Sequence, residues 1–78
     1  MSPSEIESQL IEVLSTVLGH PVNASTSRAS ESGWDSLKHI QIVFAVEEKF
    51  NVQFKEEEIP TLDSLAKIQE KLKTQHAA

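Results

Sequence analysis

The chain has no cysteine, which excludes disulfides, thiolate nucleophiles and Cys-based metal sites and leaves a packed core to supply its stability. Tyrosine is absent as well, aromatic residues make up 5%, and glycine occurs twice. Set beside sparse β-branched alternation and many Leu, Ile, Glu, Lys and Gln, these shortages point away from strands and toward helices. Positive charge is scarce. Seven Lys and Arg against twelve Asp and Glu leave a formal net charge of −5, the wrong sign for gripping phosphate backbones or anionic lipid. Neither nucleic acid nor a membrane surface is an expected partner. No apolar run approaches the ~18 residues needed to span a bilayer, and Met1-Ser2-Pro3-Ser4-Glu5 is polar, so no membrane insertion and a cytoplasmic location are expected. Seventy-eight residues allow one domain, taken as 1–78.

What is present is helical periodicity. Ser2-Pro3-Ser4-Glu5 has the spacing of a capping box with proline at the first helical position. Ile6, Leu10, Val13, Leu14 and Val17 then form one apolar stripe, ending at Leu18 before Gly19. From Gly19 to Asp35 the chain is rich in Ser and Thr, with Val22 and Trp34 as its clear apolar anchors, and is expected to be a long loop. Loops of that length in compact domains are usually functional or disordered. A second helix is expected from about Ser36 to Phe50, stopped by Asn51 in a left-handed conformation.

That second helix carries two apolar arcs rather than one. Ile42, Val43, Val46 and Phe50 form the first; Leu37, Ile40 and Phe44 form the second, with Gln41, Glu47 and Glu48 on its margins. A helix in a small bundle has one core to face, so the second arc is either covered by another element or open to a partner. Beyond it, Val52 and Phe54 suggest an extended connector, and Lys55-Glu56-Glu57-Glu58-Ile59 allows one helical turn before Pro60. Thr61 is expected to cap a last helix bearing Leu62, Leu65, Ile68 and Leu72, with Gln75-His76-Ala77-Ala78 frayed.

Asp-Ser-Leu occurs twice, at 35–37 and 63–65, and the repetition is a useful control. Asp and Ser both accept hydrogen bonds from the free N–H groups of a helix's first turn, so the tripeptide is first of all a helix start. Asp63-Ser64-Leu65 needs no other explanation. Ser36 differs in following a long loop and a glycine and in preceding the apolar strip with its acidic margins, a surface that a basic enzyme face could recognise. A catalytic triad of Asp35, Ser36 and His39 is disfavoured. An aspartate adjacent to the serine is poorly placed to orient His39, no G-x-S-x-G elbow is present, and so short a chain offers little pocket. Metal binding is not expected, because His20, His39 and His76 are scattered and Glu56-Glu57-Glu58 reads as a solvated run. His39 belongs by helical angle to the core edge, and Trp34 to a partly buried loop anchor.

Gly33-Trp34-Asp35-Ser36-Leu37, followed by Ile40 and Ile42-Val43-Phe44-Ala45-Val46-Glu47-Glu48-Lys49-Phe50, resembles the attachment region of acyl carrier proteins. The resemblance extends over the whole chain. It implies an all-α four-helix bundle with a long loop between helices one and two and a short third helix. It also implies that 4′-phosphopantetheine from coenzyme A is joined to Ser36 by a Mg²⁺-dependent phosphopantetheinyl transferase. The arm's thiol would carry acyl or aminoacyl groups as thioesters, which suits a chain without cysteine. Asp35 and Leu37 would flank the serine for transferase recognition; Leu37, Ile40, Phe44, Glu47 and Glu48 would dock an acyl or aminoacyl ligase or transferase and downstream biosynthetic enzymes. The carrier would be monomeric and not itself an enzyme. Lys38, Gln41 and Lys49 depart from the strongly acidic helix of fatty-acid carriers, and Trp34 replaces the second glycine usual in peptidyl carriers, which points to a specialised pathway. The alternative is a small helical interaction domain without a prosthetic group, for which Ser36 would be only a cap.

Overall fold

The computed structural model describes residues 3–76; its regular secondary structure is helical, with an isolated antiparallel bridge, Ser27 to Ser64, and no strand among the described residues. Helix α1 runs Pro3–Leu18, α2 Ser36–Phe50 and α3 Leu65–His76. The Ser2 half of the expected capping box lies outside the described residues, as do Ala77 and Ala78. Gln75 and His76, expected in a frayed tail, continue α3.

α1 ends where the sequence pattern says it should. Gly19 returns its amide to the Ser15 carbonyl at 2.9 Å and takes a φ of +83°, which a side chain would strain. α2 stops by the same device at Asn51, whose φ of 55° and ψ of 49° are left-handed. The amides of Asn51 and Val52 both return to the Glu47 carbonyl, closing the helix as a Schellman-type cap.

The α1 stripe is the floor of the bundle. α1 packs against both α2 and α3, and Ile6, Leu10 and Leu14 meet Ile42, Val43 and Val46 from α2 and Leu65, Ile68 and Leu72 from α3 in one buried cluster. Trp34, Phe50, Phe54 and Leu62 complete it. The first arc of α2 is therefore core. The second stays outside, with Leu37 at 66%, Ile40 at 41% and Phe44 at 60% exposure.

The expected short third helix is not an α-helix. Residues 56–58 form turns that lead into one 3₁₀ turn, Ile59–Thr61, so the bundle has three α-helices rather than four. The bonding shows why. Glu58 to Lys55, Ile59 to Glu56, Thr61 to Glu58 and Leu62 to Ile59 all span three residues, and Pro60, lacking an N–H, cannot donate the bond that would propagate an α-helix. Thr61 does not cap the last helix either. Its hydroxyl donates back to the Glu58 carbonyl, Leu62 precedes the helix, and α3 starts at Leu65 with Ser64 as its cap. Glu58 is no solvated bystander: it is half-buried, accepts the Lys55 amide at 2.8 Å and pairs with Lys71 of α3. The Lys71 ammonium, followed by the Lys55 amide, lowers its carboxyl below the ordinary value.

Ile42 and Ile40 are two residues apart on one helix, yet Ile42 faces the core and Ile40 faces solvent. Ile42→Ala is expected to lower unfolding free energy by about 2–5 kcal/mol, and Ile40→Ala by no more than about 0.5 kcal/mol, both read from urea denaturation at constant slope.

Candidate functional site

The end of the loop is pinned from inside the core. Trp34 is 2% exposed, more deeply buried than its sequence context suggests, and its indole Nε1 donates to His39 Nδ1 at 3.0 Å. The two rings stack with centroids 6.1 Å apart. An indole N–H can only donate, so His39 Nδ1 is the acceptor and Nε2 carries the proton, which it gives to the Ile59 carbonyl at 2.7 Å. Both ring nitrogens are thereby committed to Trp34 and Ile59. Neither is turned to Ser36, and the Asp35-Ser36-His39 triad does not form.

The outer part of the loop is organised around Glu31. Its carbonyl accepts the Trp34 amide at 3.1 Å, and its carboxylate accepts the Gly33 amide at 3.3 Å and His20 Nε2 at 3.1 Å. His20 Nδ1 faces the Pro21 carbonyl at 3.1 Å. With acceptors on both ring nitrogens, the imidazolium is favoured and its pKa rises above 6.5, first through the Pro21 carbonyl and then through Glu31.

Between these fixed points, Asp35 caps α2. Its backbone is extended, its carboxylate accepts the Lys38 amide at 2.8 Å and its carbonyl accepts the His39 amide at 2.8 Å. Ser36 is then the first residue inside the helix, and its hydroxyl is not the cap. In the second copy of the tripeptide the register is shifted by one residue. There Ser64 caps, its hydroxyl accepting the Lys67 amide at 3.1 Å and its carbonyl the Ile68 amide, while Asp63 pairs with Lys67 at 3.2 Å. Ser64 is half-buried; Ser36 is exposed. The Ser36 Oγ accepts a hydrogen bond from Arg28 Nη2 at 3.1 Å. Arg28 is a residue that the sequence pattern did not single out. Its one signal was that the chain contains no other arginine.

Leu37, Ile40 and Phe44 share the exposed side of α2 behind Ser36. Phe44, Glu47 and Glu48 line one shallow open groove with Asn51, Val52 and Gln53. The two glutamates are not equivalent: Glu48 is exposed, whereas Glu47 is half-buried and accepts the Phe54 amide at 2.8 Å. Lys38, a departure from acidic carriers, has its ammonium on the Val17 carbonyl at 3.2 Å, at the negative end of the α1 dipole. Among the described residues no group of three His, Asp or Glu is placed to hold a metal ion.

A family model described as "Phosphopantetheine attachment site" matches residues 8–68, most of the chain. The chain belongs to this family. The phosphopantetheine-attachment domain is where a covalent 4′-phosphopantetheine prosthetic group is joined, and such domains are non-catalytic carriers that meet modifying and biosynthetic enzymes. This carrier protein is accordingly set apart from an interaction module without a prosthetic group. No curated protein matches it, and no helix among its described residues is long and apolar enough to cross a membrane. The chemistry at the start of α2 suits the group: an exposed hydroxyl, released from capping, stands beside a guanidinium that can face a phosphodiester.

The raised pKa of His20 predicts a pH dependence in the loop. Its contribution to stability is fully present below pH 6.5 and is lost as pH rises through the higher folded-state value. Thermal melting of the wild type should fall across that window more steeply than that of His20→Gln, and identical slopes would show that the Pro21 and Glu31 contacts do not act on stability.

Proposed function

We propose that residues 1–78 act as one discrete carrier domain in which Ser36 bears the phosphopantetheine arm and α2 presents the loaded arm to partner enzymes. The observation that carries this is the register of the two Asp-Ser-Leu copies. Ser64 is consumed as a cap, whereas at 35–37 the aspartate caps and leaves the Ser36 hydroxyl outward. A serine needed only to start a helix would show the first arrangement.

In this reading, Asp35 holds the first turn of α2 rigid, and Asp35 and Leu37 flank the hydroxyl for a phosphopantetheinyl transferase. The arm supplies a thiol on which acyl or aminoacyl groups are held as thioesters. Leu37, Ile40 and Phe44 form the apolar part of the docking face, and Glu48 its outer charge. Glu47, tied to the Phe54 amide, serves the face by fixing its lower edge as much as by its charge. Ligases, transferases and later enzymes must each bind and leave, so interfaces at the small end of the usual range suit the role. Lys38, Gln41 and Lys49 stand on α2 where a general fatty-acid carrier is strongly acidic, which supports service in a specialised biosynthetic pathway. The carrier works as a cytoplasmic monomer with no catalysis of its own.

Incubation with coenzyme A, Mg²⁺ and a broad-specificity phosphopantetheinyl transferase should add one arm by intact mass to the wild type and to Ser64→Ala, and none to Ser36→Ala. Stability should follow the opposite order: Ser64→Ala loses about 1 kcal/mol as a cap, Ser36→Ala no more than about 0.5 kcal/mol. Arm uptake by Ser36→Ala would sink the assignment. For the face, Phe44→Glu should melt with the wild type yet slow turnover by a loading or accepting enzyme; a large fall in melting temperature would place Phe44 in the core instead.

A further inference from the structure

The guanidinium of Arg28 already touches the atom to which the arm would be joined. Arg28 Nη2 donates to Ser36 Oγ at 3.1 Å across eight residues of loop. We propose that Arg28 is the phosphate clamp of the loaded carrier, pairing with the phosphodiester on Ser36 and thereby tying the loop at 26–28 over the start of α2; this rests on Ser36 as the attachment residue.

Three observations converge on the clamp. The first is chemical. Modification places a phosphorus on Oγ, so its non-bridging oxygens arise within reach of a group that already hydrogen-bonds Oγ. A neutral acceptor is replaced by an anion, and a planar guanidinium matches phosphate oxygens two at a time where an ammonium acts as a point charge. The second is electrostatic. The chain carries a formal net charge of −5, and a phosphodiester on Ser36 would add negative charge beside the Asp35 carboxylate. Lys38, the cation nearest in sequence, is directed to the Val17 carbonyl. Arg28 is the cation whose head group is placed at the hydroxyl.

The third is mechanical. Arg28 does not hang from a slack loop: its amide donates to the Asp63 carbonyl at 2.8 Å, Ser27 bridges Ser64, and the Leu65 amide donates to the Thr26 carbonyl at 3.0 Å. Ser27 and Ser30 brace the same turn, each amide donating to the other's hydroxyl at 3.1 and 3.2 Å. A tighter hold on the Arg28 head group therefore pulls on a backbone stitched to the start of α3. Loading at Ser36 would be felt at Leu65, in a second helix.

The test compares apo and loaded forms of the wild type and Arg28→Gln, with loading scored by intact mass and the clamp by ³¹P NMR and amide hydrogen exchange at Arg28 and Leu65. In the wild type, exchange at those two amides is expected to slow about two- to fivefold on loading, the scale of an exposed ion pair. Added salt should reverse the slowing. Arg28→Gln should gain the same mass, show a displaced ³¹P resonance and lose the slowing. Equal ³¹P shifts and equal slowing in the two loaded proteins would overturn the clamp while leaving the attachment intact. Absence of any mass gain in the wild type would instead overturn Ser36 as the attachment residue, and the clamp with it. Should the transferase reject Arg28→Gln, salt on the loaded wild type decides: slowing that persists at high salt overturns the clamp.

Discussion

The buried chain of hydrogen bonds from the Trp34 indole through His39 to the Ile59 carbonyl is the constraint on which the rest of this molecule depends. In a low-dielectric interior each link is costly to leave unmade, so loop, α2 and 3₁₀ turn are held in one arrangement. Trp34 and His39 lie on either side of Asp35-Ser36-Leu37-Lys38. Pinning both ends of that segment sets where the helix begins, and so makes Asp35 the cap and Ser36 the first residue inside it. The outward hydroxyl, its contact with Arg28 and the exposed strip behind it are consequences of that pin. A histidine that invites a catalytic interpretation proves to be the means by which the serine is displayed.

The division of α2 into two faces follows from how little there is to bury it. α1 covers the Ile42, Val43 and Val46 side, and among the described residues no element covers Leu37 and Phe44. The surrounding charges are partly spent within the fold. Lys38 answers the carbonyl end of α1 and Glu47 holds the Phe54 amide, so the electrostatic character of the face differs from what a count of acidic and basic residues along α2 would suggest. In the proposed reading, a carrier visited by several enzymes needs a surface that binds weakly and repeatedly, and a narrow apolar strip with few free charges suits that role.

Much of this was legible beforehand. The stripe of α1, the ends of α1 and α2 at Gly19 and Asn51, and the two arcs of α2 are written in 3.6-residue periodicity and in residues that tolerate positive φ, signals that act over a few residues and survive any tertiary context. The region from Lys55 to Ser64 was less legible. There the pattern suggested a short helix before Pro60 and a cap at Thr61, but the residues bond three apart and α3 begins only at Leu65. Short segments are decided by small differences between α and 3₁₀ bonding, and the pull of Lys71 on Glu58 and of His39 on the Ile59 carbonyl comes from elements distant in sequence. Arg28 was invisible for the same reason: nothing local marks a loop arginine as the neighbour of a particular hydroxyl.

The two Asp-Ser-Leu copies mark the boundary between local and tertiary information. Their residue types announce a helix start at each place, and the glycine, loop and apolar strip around the first set Ser36 apart from Ser64. Which residue of each pair becomes the cap is beyond such signals, because aspartate and serine cap almost equally well and the local free energies are nearly degenerate. Contacts from afar break the tie. At 35–37, the core burial of Trp34 and the bond from His39 to the Ile59 carbonyl hold the backbone so that aspartate caps; at 63–65, the bonds from Arg28 to Asp63 and from Leu65 to Thr26 shift the start by one residue and make serine the cap. One residue of register, imposed by the packed fold, separates a serine that holds a helix together from one free to carry a group.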